Sequence, residues 1–222
     1  MYLRDAQPTD EPLMAAICTR AFFDDDLFGR VIHPQRSTYR NDVQIYWHEW
    51  LRQAWSCPRS RLVLAVAVED QQERIVGVAI WERQGDDEGA QRASKDFKDP
   101  GPWPKLDSTQ NRALDPSKKT ILHDSEPYWK PHYWVGSCAI NWFLALCCVD
   151  PTYQKNGYGN LLTGWGLERA KKEGIRASVI ASEGTTEFYM KCGFKKVVGN
   201  ASEGEGNPMA EANVKGGDIL FT

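Results

Sequence analysis

The chain has 222 residues, a length that suits one domain with room for a large insertion. Hydrophobic residues make up 41% and charged residues 26%, so the chain can bury a core and is not a disordered acidic or basic tail. The net charge of -3 gives no basic field for nucleic acid or an anionic membrane, and no apolar run approaches the roughly 20 residues that cross a bilayer.

Two further features bear on the compartment. The first residues, Met1 to Asp5, lack the apolar region of a secretory signal. The six cysteines form no C-x-x-C pair and no metal-ligand spacing with the four histidines. We therefore expect a cytoplasmic protein without a metal site, in which the cysteines are buried thiols rather than disulfides or zinc ligands.

The first third of the chain predicts a strand, two helices and a hairpin. The first strand covers residues 3–7, and a helix capped by Thr9 or Asp10 runs on to about Phe22. Aromatic and apolar residues at spacings of three and four predict a helix over residues 39–54. Two apolar strands at 62–68 and 75–81 flank a polar stretch, which is typical of an antiparallel hairpin.

The segment at about 84–137 differs in character from the rest of the chain. It holds half of the twelve prolines, and no hydrophobic period persists, although short helices near Ser94 or over 109–114 fit the pattern. Segments that stay solvated rarely carry many large rings, and this one contains Trp103, Tyr128, Trp129, Tyr133 and Trp134. We interpret it as an insertion that folds over the body of a single domain.

The last third is rich in structural signals. An apolar strand over residues 141–149 ends at Asp150-Pro151, and a glycine-containing loop then leads into a helix that ends near Gly174. Strands at 177–181, 194–198 and 218–221 and a short helix at 187–192 complete the pattern.

The loop Gln154-Lys155-Asn156-Gly157-Tyr158-Gly159 carries the strongest chemical signal. A loop between a strand and a helix turns backbone N–H groups toward one point at the positive end of the helix dipole, where a phosphate or pyrophosphate binds. Gly157 and Gly159 suit such a loop because a side chain would block close approach. The loop lacks the P-loop pattern, and Leu162 replaces the third glycine of a dinucleotide fingerprint.

Two segments together resemble the GNAT superfamily of N-acetyltransferases. Gln154-x-x-Gly157-x-Gly159 is similar to the pyrophosphate-binding motif of these enzymes, and it follows a strand that ends Leu-Cys-Cys-Val-Asp-Pro. Downstream, the run from Glu187 to Phe194 resembles the family's helix with a tyrosine followed by Gly-Phe. The resemblance is tight over 141–198, looser over 1–81, and absent from 84–137.

The resemblance implies a fold and a cosubstrate. The expected fold is α+β in three layers, with a mostly antiparallel mixed sheet of six or seven strands and helices on both faces. The expected cosubstrate is acetyl-CoA. The residues that would bind it are Cys147, Cys148, Val149, Gln154, Lys155, Asn156, Gly157, Tyr158, Gly159, Asn160 and Thr185.

The resemblance also implies direct acetyl transfer to a neutral amine. Tyr189 occupies the family's general-acid position and would protonate the leaving thiolate. Backbone N–H groups of Cys147 to Val149 would stabilise the oxyanion. A cysteine nucleophile is the rival mechanism, and it lacks a recognisable histidine and acid partner. The family's usual base position falls near Phe143, which cannot accept a proton.

The general base and the acceptor remain open at the level of sequence. Asn141, Glu82, His132 and Asp150 are the candidate bases. We expect the acceptor, a small-molecule amine, between the first helices and the insertion. One hypothesis is an aromatic pocket for a cationic or aromatic amine, and the alternative is that most of these rings form the core of the insertion; the rings are Tyr39, Trp47 and Trp50 of the second helix and Trp103, Trp129 and Trp134 of the insertion. A protein amine substrate and a non-catalytic acyl-CoA-binding protein are the alternatives. We expect no nucleic-acid or membrane partner, and an exposed last strand could pair two chains in a homodimer.

Overall fold

The computed structural model describes residues 1–95 and 97–222. Within them, one sheet contains β1 (Tyr2–Asp5), β2 (Ser60–Glu69), β3 (Gln72–Gln84), β4 (Asn141–Val149), β5 (Arg176–Ser182), β6 (Lys196–Asn200) and β7 (Gly216–Phe221). The strand order is β1-β2-β3-β4-β5-β7-β6. β4 and β5 run parallel, and the other neighbouring pairs run antiparallel.

Helices cover both faces of this sheet. They are α1 (Glu11–Ala21), α2 (Val43–Trp55), α3 (Glu88–Ser94), α4 (Ile121–Tyr133), α5 (Tyr158–Glu173), α6 (Thr186–Cys192) and α7 (Pro208–Glu211), with a π-helical turn over Asp26–Ile32. α1 and α2 pack on one face, and α5 and α6 pack on the other. The seven-stranded mixed sheet between two helical layers confirms the expected fold class.

The β2–β3 hairpin follows the predicted pattern. Asp70 and Gln71 form its turn with positive φ angles of 49° and 64°. The continuous apolar run of β2 is buried, and alternate residues belong to the clusters on the two faces of the sheet. A strand covered on both sides needs no polar residue at every second position, which explains the unbroken run.

A β-bulge in β4 reverses the alternation of side chains at the centre of the sheet. Ile80 pairs with Leu146 and Trp81 pairs with Leu144, so Ala145 is an extra residue in β4. Ala145 and Leu146 both face the α1–α2 layer, and the following Cys147 faces the α5–α6 layer.

The parallel strands β4 and β5 pair over a short stretch and then diverge. The register joins Asn141 to Arg176 and ends where Leu144 meets Val179. Both strands continue, β4 to Val149 and β5 to Ser182, without pairing in that region. The result is a wedge-shaped opening in the middle of the sheet, bordered by backbone groups of both strands.

The insertion is more helical than its composition suggested. A helix ends at Ser94, as one expectation allowed, but residues 109–114 hold only the end of a 3-10 turn, so that prediction is wrong. α4 contains Pro127 and Pro131, which usually disrupt a helix because proline lacks an N–H donor. Burial of Trp129 supplies tertiary packing that sequence periodicity does not reveal. Residue 96 of this segment lies outside the described residues.

The last strand does not lie at an edge of the sheet. β7 pairs with β5 on one side and with β6 on the other, and β6 and β1 form the two edges. The expectation that an exposed last strand pairs two chains is therefore wrong, since both sides of β7 are already hydrogen-bonded within the chain.

Candidate active site

The predicted phosphate loop joins β4 to the N-terminus of α5. Gly157 is the residue before the helix and has a φ of +85°, a left-handed conformation that glycine adopts without strain. A Cβ built on Gly157 would meet no atom within 4 Å, so its open side faces free space. The first N–H groups of α5 have no partner inside the helix and are available to an anion.

The three residues before Gly157 form an exposed bend. Lys155 has a positive φ of 63°, and Asn156 donates from Nδ2 to the carbonyl oxygens of Tyr153 and Gln154 at 3.3 Å. Gln154 donates from Nε2 to the carbonyl oxygen of Val149 at 3.3 Å, which ties the loop to the end of β4. The loop therefore has a fixed bend and leaves the Lys155 side chain in solvent.

The structure gives Gly159 and Tyr158 different roles from those expected. A Cβ on Gly159 would lie 3.1 Å from Phe188 Cζ, so this glycine lets α5 approach α6 rather than clearing the loop's open side. The Tyr158 side chain is buried in the core beneath α5. It can therefore reach a ligand only through its backbone N–H.

The wedge between β4 and β5 holds a candidate oxyanion site. The N–H of Asp150 donates to the Val76 carbonyl oxygen of β3 at 2.8 Å. Because N–H groups alternate in direction along a strand, those of Cys147 and Val149 point to the other side, into the opening. Two donors at this position suit a carbonyl oxygen that gains negative charge.

The thiols beside the opening are poor nucleophiles. Burial raises the pKa of the Cys147 thiol to about 12, which keeps it protonated. The Cys148 side chain faces the opposite layer, where its Sγ lies 3.7 Å from Cys18 Sγ. Any contact of Cys148 with a ligand in the opening is thus limited to its backbone, and the geometry argues against cysteine catalysis.

Tyr189 lies on α6, on the same face of the sheet as the Cys147 side chain. Its ring packs between Phe188 and Phe194, with centroid distances of 5.0 and 5.8 Å. Burial, aided by the nearby thiols of Cys147 and Cys192, raises the pKa of the Tyr189 phenol well above its ordinary value. The hydroxyl therefore keeps its proton at neutral pH.

The remaining predicted contacts lie around α6. Thr185 precedes the helix, and its hydroxyl donates to the Ser182 carbonyl oxygen at 2.8 Å. Asn160 is exposed in the first turn of α5, where its Oδ1 accepts from Cys192 Sγ at 3.4 Å. Both residues border the space between the loop and the end of β5.

A cleft of about 590 Å³ opens on the opposite face of the sheet. Its walls come from the π-helical turn, α2, α4 and the segment that leads into β7. Leu144, Ala145, Ile180, Ala181 and Ser182 form part of its floor, so the cleft reaches the wedge between β4 and β5.

Glu82 is the candidate base that lines this cleft. Burial is the largest cause that raises the pKa of the Glu82 carboxyl, and Glu126 adds to it, while Lys130 and Arg59 oppose it. No hydrogen bond to the Glu82 carboxylate is found among the described residues. A desolvated, unpaired carboxylate beside a cleft is suited to accept a proton.

The other three candidate bases have structural roles or lie elsewhere. Asn141 is buried, and its amide bonds Gln84, the Cys138 carbonyl oxygen and Ser178. His132 is exposed on α4, outside the cleft.

Asp150 accepts from Arg20 Nε at 2.9 Å and from Thr152 N–H at 3.1 Å. Burial opposes its ionisation, but these partners hold the pKa of Asp150 below its ordinary value. An ion-paired carboxylate of this kind is a weak base.

Sequence reasoning missed Asp25, one of four carboxyls that line the cleft and, like Glu82, one with a raised pKa. Burial raises the pKa of Asp25, while donation from the Phe28 N–H and the Ser182 hydroxyl opposes that shift. Asp25 occupies the N-cap of the π-helical turn. The run Asp24-Asp25-Asp26 gave no periodic signal that would have singled it out.

Of the aromatic rings in the pocket hypothesis, Trp50 lines the cleft, whereas the three tryptophans of the insertion have packing roles. Trp129 and Trp134 are buried in a cluster with Phe221, and Trp103 packs against Trp55 with a centroid distance of 5.2 Å. These rings pack the insertion against the sheet and against α2, and they do not line the cleft. The aromatic residues that do line it are Phe28, Tyr46, Trp50 and Phe143.

Neither a metal-ligand cluster nor a membrane-spanning helix is found among the described residues. No group of three or more His, Cys, Asp or Glu side chains in residues 1–95 and 97–222 is arranged to hold a metal ion. None of the helices described has the length and apolar character to cross a membrane.

Comparison with known proteins links this arrangement to one family. A model described as an acetyltransferase (GNAT) domain matches residues 135–211, which include β4, the loop, α5 and α6. An acetyltransferase from Stachybotrys chartarum is 24% identical over 198 residues, which cover 88% of this chain and 80% of that protein.

Two solved structures share the fold over nearly the whole chain. A Corynebacterium glutamicum protein described as histone acetyltransferase HPA2 and related acetyltransferase is 18% identical, covers 99% of this chain and 93% of its own, and has a TM-score of 0.59. The PaiA N-acetyltransferase of Thermoplasma acidophilum, solved with coenzyme A, is 12% identical, with coverages of 100% and 97% and a TM-score of 0.52.

Proposed function

We propose that this chain, an acetyltransferase of the GNAT superfamily, transfers the acetyl group of acetyl-CoA directly to the primary amine of a small molecule. The observation that supports a small acceptor is a bridge between two walls of the cleft. Lys215 N–H donates to Asp26 Oδ2 at 2.7 Å, and Arg30 Nη2 donates to the Asn213 carbonyl oxygen at 2.7 Å.

This bridge joins the π-helical turn to the segment before β7. A polypeptide substrate would have to break these contacts to lie between the two walls. A small amine fits within the cleft of about 590 Å³, a volume typical of small-molecule sites. The bridge therefore favours a small acceptor over a protein amine.

The residues beside the opening fit the cosubstrate. Gly157 leaves room for a phosphate at the N-terminus of α5, and the unpaired edge of β4 from Ala145 to Val149 can bond the amides of an extended arm. Acetyl-CoA supplies an activated thioester when bound. No metal is required for this chemistry.

Glu82 is the proposed general base. The incoming amine enters the cleft as an ammonium group with an ordinary pKa near 10.4 and must lose a proton before it can attack. Burial in the apolar cleft lowers the pKa of the ammonium, and burial raises the pKa of Glu82, so proton transfer between them becomes easier.

The other steps use groups on the two sides of the opening. As the amine nitrogen bonds to the acetyl carbon, the N–H groups of Cys147 and Val149 stabilise the oxyanion. The carbon–sulfur bond then breaks, and Tyr189 gives its proton to the sulfur. The nitrogen ends as an amide after its second proton passes to Glu82, which has by then released the ammonium proton to solvent through the open cleft. Tyr189 regains its proton from solvent as the products leave.

The proposal is tested by thiol release from acetyl-CoA in the presence of small primary amines and, separately, of peptides with a lysine or a free N-terminus. We expect release with at least one small amine and little with the peptides. Faster transfer to the peptides would favour the protein-substrate alternative, and acetyl-CoA binding without release under any condition would favour the non-catalytic one.

A variant sharpens the test of acceptor size. Arg30→Ala removes the contact with the Asn213 carbonyl oxygen and loosens the bridge. We expect this variant to gain activity toward peptides, relative to small amines, if the bridge excludes them. Arg92→Ala, which removes an exposed side chain on α3, is the control.

A further inference from the structure

Three aromatic rings form a continuous wall on one side of the acceptor cleft. Phe28 lies 5.5 Å from Trp50 and 6.3 Å from Tyr46 between ring centroids, and Tyr46 lies 5.8 Å from Trp50. Phe28 and Trp50 are only half-buried, so part of each ring faces the cleft. Phe28 and Trp50 pack edge to face, and the other two pairs are tilted, so each ring is held by its neighbours.

The floor and the opposite wall are also mainly apolar. Phe143 lies on the floor beside Ala145, and Leu122 of α4 reaches the cleft from the insertion. The Phe143 ring is held edge-on by Trp134 at a centroid distance of 5.9 Å. A ring bound here would contact aromatic faces or edges on two sides.

Most of the charged groups that line the cleft are already paired. Glu49 accepts from Lys119 at 2.8 Å, and Glu126 accepts from Lys130 at 2.7 Å. Asp25 accepts from the Phe28 N–H at 2.8 Å, and Lys215 also lines the cleft. Among the described residues, Glu82 and Asp25 have no cationic partner, but the Asp25 carboxylate already caps the π-helical turn, so Glu82 is the carboxylate open to an ammonium group.

We propose that the acceptor is a primary amine attached to an aromatic ring by a short linker, an arylalkylamine. The ring lies between the wall of Phe28 and Trp50 and the floor at Phe143, and the amine lies at Glu82. Acetylation of the arylalkylamine rests on the proposed function. Binding of the arylalkylamine depends only on the residues of the cleft.

The test is equilibrium binding of 2-phenylethylamine, butylamine and 1,4-diaminobutane to the protein saturated with coenzyme A, followed by thiol release with acetyl-CoA. The variant is Trp50→Leu. The matched control is Trp55→Leu, the same substitution on the same helix at a half-buried ring that contacts Trp103 and not the cleft.

We expect native protein to bind 2-phenylethylamine about tenfold more tightly than either aliphatic amine, the size expected of one aromatic contact. Trp50→Leu should abolish that preference, and Trp55→Leu should keep it. Equal or tighter binding of the diamine, or an unchanged preference in Trp50→Leu, would overturn the assignment.

Thiol release separates this inference from the proposed function. Selective binding of 2-phenylethylamine without release would support the arylalkylamine site and contradict acetyl transfer to it. Release confined to the aliphatic amines would support acetyl transfer and overturn the arylalkylamine assignment.

Discussion

Glu82 of β3 lies directly opposite Phe143 of β4 in the antiparallel register. Directly paired residues point to the same face of a sheet, so the carboxylate and the phenyl ring share the floor of the acceptor cleft. The position that resembles the family's usual base thus holds a ring, and the neighbouring strand provides a carboxylate at the same level. This pairing makes Glu82 the residue on which the proposed chemistry most depends.

Replacing Glu82 with glutamine should impair acetyl transfer without loss of cosubstrate binding. Glutamine keeps the shape of the side chain but cannot accept a proton, so we expect kcat/KM for the amine to fall about 100-fold or more. Steady-state kinetics and acetyl-CoA titration measure the two effects. Glu126→Gln, in the same cleft but paired with Lys130, is the control and should change kcat/KM by only about threefold. Equal activity of Glu82→Gln and native protein would contradict the role.

The raised pKa of Glu82 predicts a pH dependence with a defined sign. The base acts in its ionised form, so kcat/KM should rise with pH, with a midpoint above the ordinary glutamate value of about 4.3. The folded state holds the Glu82 proton more tightly than the unfolded state does. The protonated carboxyl therefore adds to the free energy of unfolding below its ordinary pKa, and this contribution is lost as the pH rises through the pKa of Glu82 in the folded state. Both features should be absent from Glu82→Gln, as pH–rate profiles and urea unfolding would show.

Tyr189→Phe should lower kcat with little change in fold. The phenylalanine ring keeps the packing between Phe188 and Phe194 but cannot protonate the departing sulfur, so we expect kcat to fall by about 100-fold. Tyr158→Phe removes the hydroxyl of another buried tyrosine on the same face and serves as the control. Similar kcat values for Tyr189→Phe and Tyr158→Phe would rule out the proton-donor role.

Gly157→Ala should weaken acetyl-CoA binding by about tenfold or more. Its φ of +85° costs about 1–2 kcal/mol for a residue with a Cβ, and the added methyl group would project into the space proposed for a phosphate. Calorimetric titration measures the affinity. Gly164→Ala is the matched control, because its Cβ meets nothing within 4 Å inside α5 and should leave binding unchanged. Unchanged affinity in Gly157→Ala would place the cosubstrate elsewhere.

Gly166→Ala should destabilise the fold. A Cβ at this position would lie 2.3 Å from ring atoms of Trp81, which is fully buried and donates from Nε1 to the Leu162 carbonyl oxygen. Overpacking of this kind costs about 1–3 kcal/mol in free energy of unfolding. Urea denaturation of Gly166→Ala beside Gly164→Ala isolates the clash, and equal stability of the two variants would show that α5 can shift away from the sheet.

The sequence predicted the elements that depend on local signals. The strand over residues 141–149, the loop at Gly157 and the helix that follows were all visible, because apolar runs and glycine punctuation act within a few residues. α4 was missed because its stability comes from burial of Trp129 against distant strands, while Pro127 and Pro131 argued locally against a helix. The placement of β7 between β5 and β6 was likewise hidden, since strand order has no local signature.

By itself, the sequence indicated the fold class, the acetyl-CoA cosubstrate and the candidate acid Tyr189 only through its resemblance to the GNAT superfamily, which two short runs around Gly157 and Tyr189 carry because such motifs depend on residues a few positions apart. The tertiary structure alone decided which of four candidate bases lies in the cleft, which aromatic rings line it and how its walls are bridged. Those relationships join residues as far apart as Arg30 and Asn213, and contacts between such distant positions arise only when the helical layers close over the sheet.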